Sequence, residues 1–238
     1  SRWFRQLAEK VGKLRRRWPG ICTVMGGPGA WQFDDSPDAR EELGIDHVGT
    51  GNCESNVAQL LREIAGRGPV ERVLTGHDGM AEAIPPLQGA TTMGTVEVSR
   101  GCGLGCRFCT LSEVPMRHIP EETILADVRT NVQTGVQTVS LITEDIFRYG
   151  GRGSNVCPEA LIGLLRTIRS SADCGLVQTD HANVSSVQQY SDEDLREMRD
   201  LMTGDTDGQI WLNLGVETAS GGLLASNGGR PKMVDCPP

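Results

Sequence analysis

The stretch "VSRGCGLGCRFCTL", residues 98 to 111, places Cys102, Cys106 and Cys109 within eight positions and leaves a CxxxCxxC group with no fourth thiol nearby. It follows a short apolar run, "TVEV" (95 to 98), that reads as a strand. Loops at the carboxyl ends of parallel strands are where α/β folds put their chemistry. A structural zinc site takes four ligands, usually as two close pairs. No second pair follows here, and His118 is the residue that could be recruited as a fourth. Three thiolates suit a cubane iron–sulfur cluster whose fourth iron has no protein ligand. An iron left open is a place where a substrate or cofactor binds, by the logic that separates catalytic from structural zinc.

Outward from this loop the chain reads as alternating helices and strands. Downstream, Pro120 to Thr134 is a helix, with Glu121 and Glu122 placed favourably against the dipole and Ile124, Val128 and Val132 in one row. "VQTVSLI" (136 to 142) is strand, 158 to 170 helix, and "GLVQT" (175 to 179) strand. A helix over 192 to 202, with Ser191 as N-cap and Asp194 three residues on, precedes the strand "IWLNLGV" (210 to 216). That uncharged strand is expected to be left with an unpaired edge.

Upstream, Trp3, Leu7, Val11 and Leu14 fall at helical spacing, "ICTVM" (21 to 25) is a buried strand, and "GGPG" (26 to 29) a tight turn open to a ligand. A helix near 37 to 43, a strand "IDHV" (45 to 48), the loop "GTGNCES" and a helix with Val57, Leu60, Leu61 and Ile64 on one face follow. The expected organisation is an α/β unit over 1–74, a linker over 75–93, rich in Pro and Gly, and a second α/β unit over 94–238.

The chain has 238 residues, 38% hydrophobic and 23% charged, enough for one or two domains with real cores. No apolar run approaches the roughly 18 to 20 residues that span a bilayer, so the expectation is a cytoplasmic protein with no membrane partner. A net charge of −8 gives no general attraction to phosphate backbones. Nucleic acid is therefore unsupported, although "KLRRRW" (13 to 18) is a local basic spot. Of eight cysteines, Cys22, Cys53, Cys157, Cys174 and Cys236 are scattered and read as ordinary thiols. The chain begins without Met and ends in "DCPP", and it reads as an excerpt of a longer protein.

With its aromatic Phe108 just before the last cysteine, the CxxxCxxC loop resembles the radical S-adenosylmethionine (SAM) superfamily over about residues 94 to 224. The resemblance implies a [4Fe-4S] cluster on Cys102, Cys106 and Cys109, with SAM chelating the open iron. It implies reductive cleavage to a 5'-deoxyadenosyl radical that abstracts hydrogen from a small-molecule substrate, and an external flavodoxin- or ferredoxin-like electron donor. The cofactor then carries the hard chemistry and the protein positions it. Phe108 matches the aromatic near the adenine. "ITEDIF" stands where the family has a Gly-Gly-Glu-like motif for the SAM ammonium, so Glu144 or Asp145 is the candidate carboxylate; for Asp145 an N-cap role is the alternative. Glu217, in "LGVETAS", stands where family members place a polar SAM contact.

The N-terminal unit resembles the later half of the cobalamin-binding domain that precedes some radical SAM cores, on "MGGPGA" and "GTGNCES". Gly26, Gly27, Gly51 and Glu54 would then line the cofactor's nucleotide tail, although the glycines also serve as plain turns. The DxHxxG cobalt-ligating signature is absent from this chain. The fold implied is α/β, a partial Rossmann-like cobalamin-binding domain followed by a truncated radical SAM (β/α)6 partial TIM barrel. Cobalamin-dependent methyl transfer leads among reaction subtypes. One alternative is a methylthiotransferase-like radical SAM enzyme, whose N-terminal domain would hold a second cluster on three further cysteines; Cys22 and Cys53 alone do not make that set. A rival of another class is an iron–sulfur electron carrier or metal-stabilised binding module, with a fully ligated cluster and no pocket beside it.

Overall fold

The computed structural model describes residues 2–27, 29–66, 72–76, 84–109 and 111–232. The chain divides into two compact units, Ser1–Ile84 and Pro85–Pro238. Both are mixed α/β with parallel sheets, in keeping with a radical SAM-like α/β fold. No helix among the described residues is long and apolar enough to cross a membrane.

Unit 1 runs α1 (Arg2–Arg17), β1 (Val24–Met25), α2 (Pro37–Leu43), β2 (His47–Thr50), α3 (Val57–Ala65) and β3 (Val73–Thr75). Its strands pair in parallel in the order β1-β2-β3. The helical period of α1 turns Phe4, Leu7 and Ala8 inward, where with Met25 and Phe33 they pack on a core of Ala30, Leu43, Ile45 and Val48. Leu14, expected on the same face, is exposed. Pro37 starts α2 and Gly44, at φ 68°, ends it by donating its N–H to the last turn. Asp46 ties the ends together: its carboxylate accepts from Arg15, from the Thr23 N–H at 2.8 Å and from the Thr23 hydroxyl at 2.9 Å. The apolar stripe of α3 does not reach a core. Leu60 and Ile64 are half-buried, while Val57 and Leu61 lie open among the described residues.

Unit 2 opens with β4 (Thr95–Glu97), β5 (Ser99–Arg100), β6 (Arg117–His118) and α4 (Glu121–Val132). It continues with β7 (Thr138–Ile142), α5 (Pro158–Ser171), β8 (Leu176–Thr179) and β9 (His181–Ala182). The remaining elements are α6 (Val184–Val187), α7 (Asp192–Thr203), β10 (Asn213–Leu214) and α8 (Gly221–Ser226). β7 lies between β4 and β8, parallel to both. β9 resumes the line of β8 after Asp180 and takes β10 in parallel. Four parallel strand positions thus follow one another in chain order, joined by helices.

Alternation along β7 sends Val139 and Leu141 to the helix-covered face, with Val96 and Val177 beside them, all fully buried. Ile124 and Val128 of α4 and Leu161, Leu164, Leu165 and Ile168 of α5 complete this core. Each such side chain contributes on the order of 1.5 to 3 kcal/mol by leaving water. Ser191 caps α7 through a reciprocal pair, its hydroxyl accepting from the Asp194 N–H and the Asp194 carboxylate accepting from the Ser191 N–H.

Two segments differ from expectation. Residues 77–83 of the expected linker lie outside the described residues, and the chain from 87 to 91 is fastened to α4. Buried Asp127 accepts from the Leu87 N–H at 2.8 Å, and buried Asn131, one turn on, accepts from the Thr91 N–H at 2.8 Å. The strand expected over 210–216 contracts to Asn213–Leu214. Before it, the Gln178 side-chain amide stands in for a backbone partner, donating to the Gln209 carbonyl and accepting from the Trp211 N–H at 3.2 Å. Trp211, Leu214 and Val216 are exposed, so this edge is apolar.

Candidate metal centre and ligand cavity

The thiol loop leaves β5 and returns through the antiparallel partner β6, Ser99 facing His118 and Arg100 facing Arg117. Its shape needs left-handed backbone at alternate positions: Gly101, Gly103 and Gly105 have φ of 82°, 69° and 72°. A Cβ on Gly101 would stand 2.6 Å from the Pro115 carbonyl oxygen, so no other residue fits. Backbone bonds from Cys102 N–H to Val114 O (2.9 Å) and from Gly105 N–H to Ser112 O (3.0 Å) close the loop on itself. The end of α8 closes it from another side, through the Arg107 N–H on the Asn227 carbonyl at 2.9 Å.

Cys102, Cys106 and Cys109 line one cavity of about 440 Å3, within the roughly 300 to 1,000 Å3 usual for small-molecule sites. Cys102 and Cys106 are buried at its floor and Cys109 stands at its exposed rim. Glu144, from the loop after β7, shares the cavity, as do His181 and Asn183 around β9, and Glu217 and Lys232 from beyond β10. The carboxyl ends of successive parallel strands therefore converge on the thiols. Among the described residues, no three thiol, imidazole or carboxylate side chains are gathered tightly enough for a single metal ion. A cubane asks for something else, because each thiolate takes a separate corner and the sulfurs stand apart by the width of the cluster. His118 does not line this cavity: its Nε2 meets the Gly151 carbonyl at 3.0 Å and its ring packs edge-on to Tyr149.

Electrostatics at the thiols is mixed. Burial pushes the Cys106 thiol up from the ordinary range, Lys232 opposes this, and Cys102, Cys109 and Glu217 push the same way as burial. Behind Cys102 lies Arg148, itself buried, whose guanidinium donates to the Cys102 carbonyl at 2.9 Å and approaches its sulfur at 3.6 Å. Glu217 holds an uncommon positive φ of 60° and pairs with Lys232 at 2.5 Å. A smaller hollow of about 220 Å3, lined by Phe108, Glu217, Thr218, Leu223, Leu224 and Asn227, adjoins the cavity through Phe108 and Glu217. His181 Nδ1 is held by the Asp180 carboxylate at 3.1 Å.

Of the sequence candidates, Cys102, Cys106, Cys109, Phe108, Glu144 and Glu217 thus come together. Asp145 does not join them. Its fully buried carboxylate accepts from the Asn183 amide at 2.8 Å and the Ser186 hydroxyl at 2.6 Å, fixing the turn after β9. It precedes the short helical turn Ile146–Arg148 without capping it through its side chain.

Gly26 and Gly27 follow β1, while Gly51 and Glu54 follow β2, so both loops leave the carboxyl edge of the first sheet. Gly27 and Gly51 have φ of 95° and 73°. Pro28, between them in the chain, lies outside the described residues. The absence of a side chain at Gly51 and Gly76 admits backbone: a Cβ on Gly51 would stand 2.9 Å from the Gly76 oxygen, and one on Gly76 2.3 Å from the Asn52 oxygen. At these two positions the close approach is between loops, not toward an open space. Cys22 precedes β1 and Cys53 follows β2, at opposite ends of the sheet.

No family model matches the chain. Curated relatives include the tRNA-2-methylthio-N(6)-dimethylallyladenosine synthase of Salinispora arenicola, 29% identical over 151 residues, 61% of this chain and 30% of that protein. The ribosomal protein uS12 methylthiotransferase RimO of Desulfotalea psychrophila is 27% identical over 107 residues, 43% of this chain and 24% of that protein. Its counterpart in Sorangium cellulosum is 30% identical over 118 residues, 47% of this chain and 23% of that protein. The chain thus covers about a quarter to a third of the length of these relatives.

Proposed function

We propose that the chain is part of a radical SAM enzyme of the methylthiotransferase kind, its cluster held by Cys102, Cys106 and Cys109. The observation that carries this reading is the single cavity, in which three thiols of one loop meet polar groups from the ends of the other parallel strands. Bound there, a [4Fe-4S] cluster would supply one electron to SAM and so start hydrogen abstraction. Glu144 and Glu217 would hold the SAM ammonium and ribose end by charge and hydrogen bonding, and Phe108 with Leu223 and Leu224 would offer the adenine an apolar wall. Arg148 would hold the Cys102 sulfur in place from the protein side. The electron-carrier reading is disfavoured, because a bare carrier has no use for a small-molecule cavity beside its thiols.

Between the subtypes, the names of the relatives favour methylthio transfer over cobalamin-dependent methyl transfer. One observation pulls the other way. Cys22 and Cys53 lie at opposite ends of their sheet and cannot share a second cluster. Whether the substrate is an RNA, as the name of one relative says of that protein, or a protein, as another says, belongs to the same proposal.

Anaerobic reconstitution of the full chain, iron counting and an electron paramagnetic resonance titration with SAM test this reading. About four irons per chain and a signal that changes with SAM are expected. A cluster indifferent to SAM would leave only the carrier; about eight irons would restore a second cluster.

A further inference from the structure

The basic stretch at the N-terminus has no role in the cavity. α1 carries seven Arg and Lys against one acid, Glu9, a net +6 in a chain whose total is −8, so everything else stands at −14. Arg15 is taken up by Asp46. The other six, Arg2, Arg5, Lys10, Lys13, Arg16 and Arg17, are exposed. At 3.6 residues per turn they fall within an arc of about 140°. Just past the helix, Trp18 is half-exposed, with the Arg17 guanidinium 5.0 Å above its ring.

Helix stability does not account for this pattern. Cations in the last turn suit the dipole, which covers Arg16 and Arg17. Arg2 and Arg5 sit at the opposite end, where a positive charge opposes the dipole and no acid stands in the first turn. An amphipathic basic helix is also the mark of a membrane surface, but that needs a free apolar face. Here Phe4, Leu7 and Ala8 are already packed on the core. What remains is a cationic strip about 24 Å long ending in an accessible indole.

We propose that the solvent face of α1, together with Trp18, binds RNA: the exposed Arg and Lys take phosphates and an unpaired base stacks on Trp18. The remainder of the chain, at −14, offers phosphate no net attraction, so α1 is the favoured place of contact. The inference does not rest on the cluster, and protein without iron tests it.

Fluorescence anisotropy of the full chain with a labelled hairpin RNA, over about 50 to 200 mM salt, reads the affinity and its salt slope. The triple variant Lys10→Ala, Lys13→Ala, Arg16→Ala keeps helix-forming residues. It should bind about tenfold or more weakly, with a salt slope smaller by about 2. Trp18→Ala should weaken binding about fivefold or more at unchanged slope. Anionic phospholipid vesicles and poly-glutamate are the competing partners. Absence of RNA binding at low salt, unaltered binding by both variants, or equal binding to vesicles or poly-glutamate overturns the proposal.

Discussion

The two sheets make opposite use of the same edge. In unit 2 the carboxyl ends of the strands deliver three thiols, Glu144, His181, Glu217 and Lys232 to one cavity. In unit 1 the corresponding loops deliver glycines, and two of those serve to let one backbone touch another. Parallel strands supply a place for chemistry; the residues at their ends decide whether anything happens there. Glycine marks both edges, yet at Gly101 it shapes a thiol loop and at Gly76 it only makes room for Asn52.

The largest effect that would sharpen this contrast comes from cysteine replacement. Cys106→Ser should reduce reconstituted iron from about four per chain to less than one and abolish the SAM response, whereas Cys53→Ser should leave both unchanged. Loss of iron in the Cys53 variant would break the comparison, because unit 1 would then share in the centre.

Arg148→Met comes next. The variant should still take up iron, but loss of a charged donor beside Cys102 should lower the midpoint potential by about 60 mV, from about 1.5 kcal/mol for such a bond and 59 mV per tenfold for one electron. Arg148→Lys should recover part of the shift, measured by redox titration. An unchanged potential would make Arg148 a loop support alone.

Asp46→Asn is smallest and confined to unit 1. Burial pushes the Asp46 carboxyl up, but Arg15 and the Thr23 N–H and hydroxyl together hold it below its ordinary value of 3.8. A lowered folded value means that this stabilisation is present above the ordinary range and is lost as pH falls through the folded value. The Asn variant should be about 1 kcal/mol less stable to urea at neutral pH, and the difference should vanish in acid. A difference that persists there would assign the effect to packing.

Helices with local signals were readable from sequence. Pro120 before the Glu pair and the Ser191–Asp194 box mark starts that the structure keeps within a residue or so, and the helices expected near 37 and from 158 begin at Pro37 and Pro158. β3, the β5-β6 hairpin and α8 were not readable, because each owes its form to a distant partner rather than to its own period. In the site, the thiols stand out by spacing, and Glu144, Glu217 and Phe108 only through the resemblance to the radical SAM pattern. Arg148 did not stand out: a lone Arg in "DIFRYGG" looks solvated until the fold buries it. His181 and Lys232 carry no motif at all. Asp145 and Glu144 are adjacent and chemically alike, and only the turn of the backbone sends one to the cavity and the other to Asn183.

Gln178 gives the segment leading into the last strand an unusual attachment. Between β8 and the chain at 209–211 the bonds run through one side-chain amide, so rotation about that single side chain releases both without disturbing any ladder. A seam of backbone bonds opens cooperatively and rarely, while a clasp opens whenever its one rotamer turns. The approach to β10 is therefore pinned to β8 by one side chain, while β10 itself is held to β9 by backbone bonds, from the Asn213 N–H to the Asp180 carbonyl at 2.9 Å and from the Gly215 N–H to the Ala182 carbonyl at 3.0 Å.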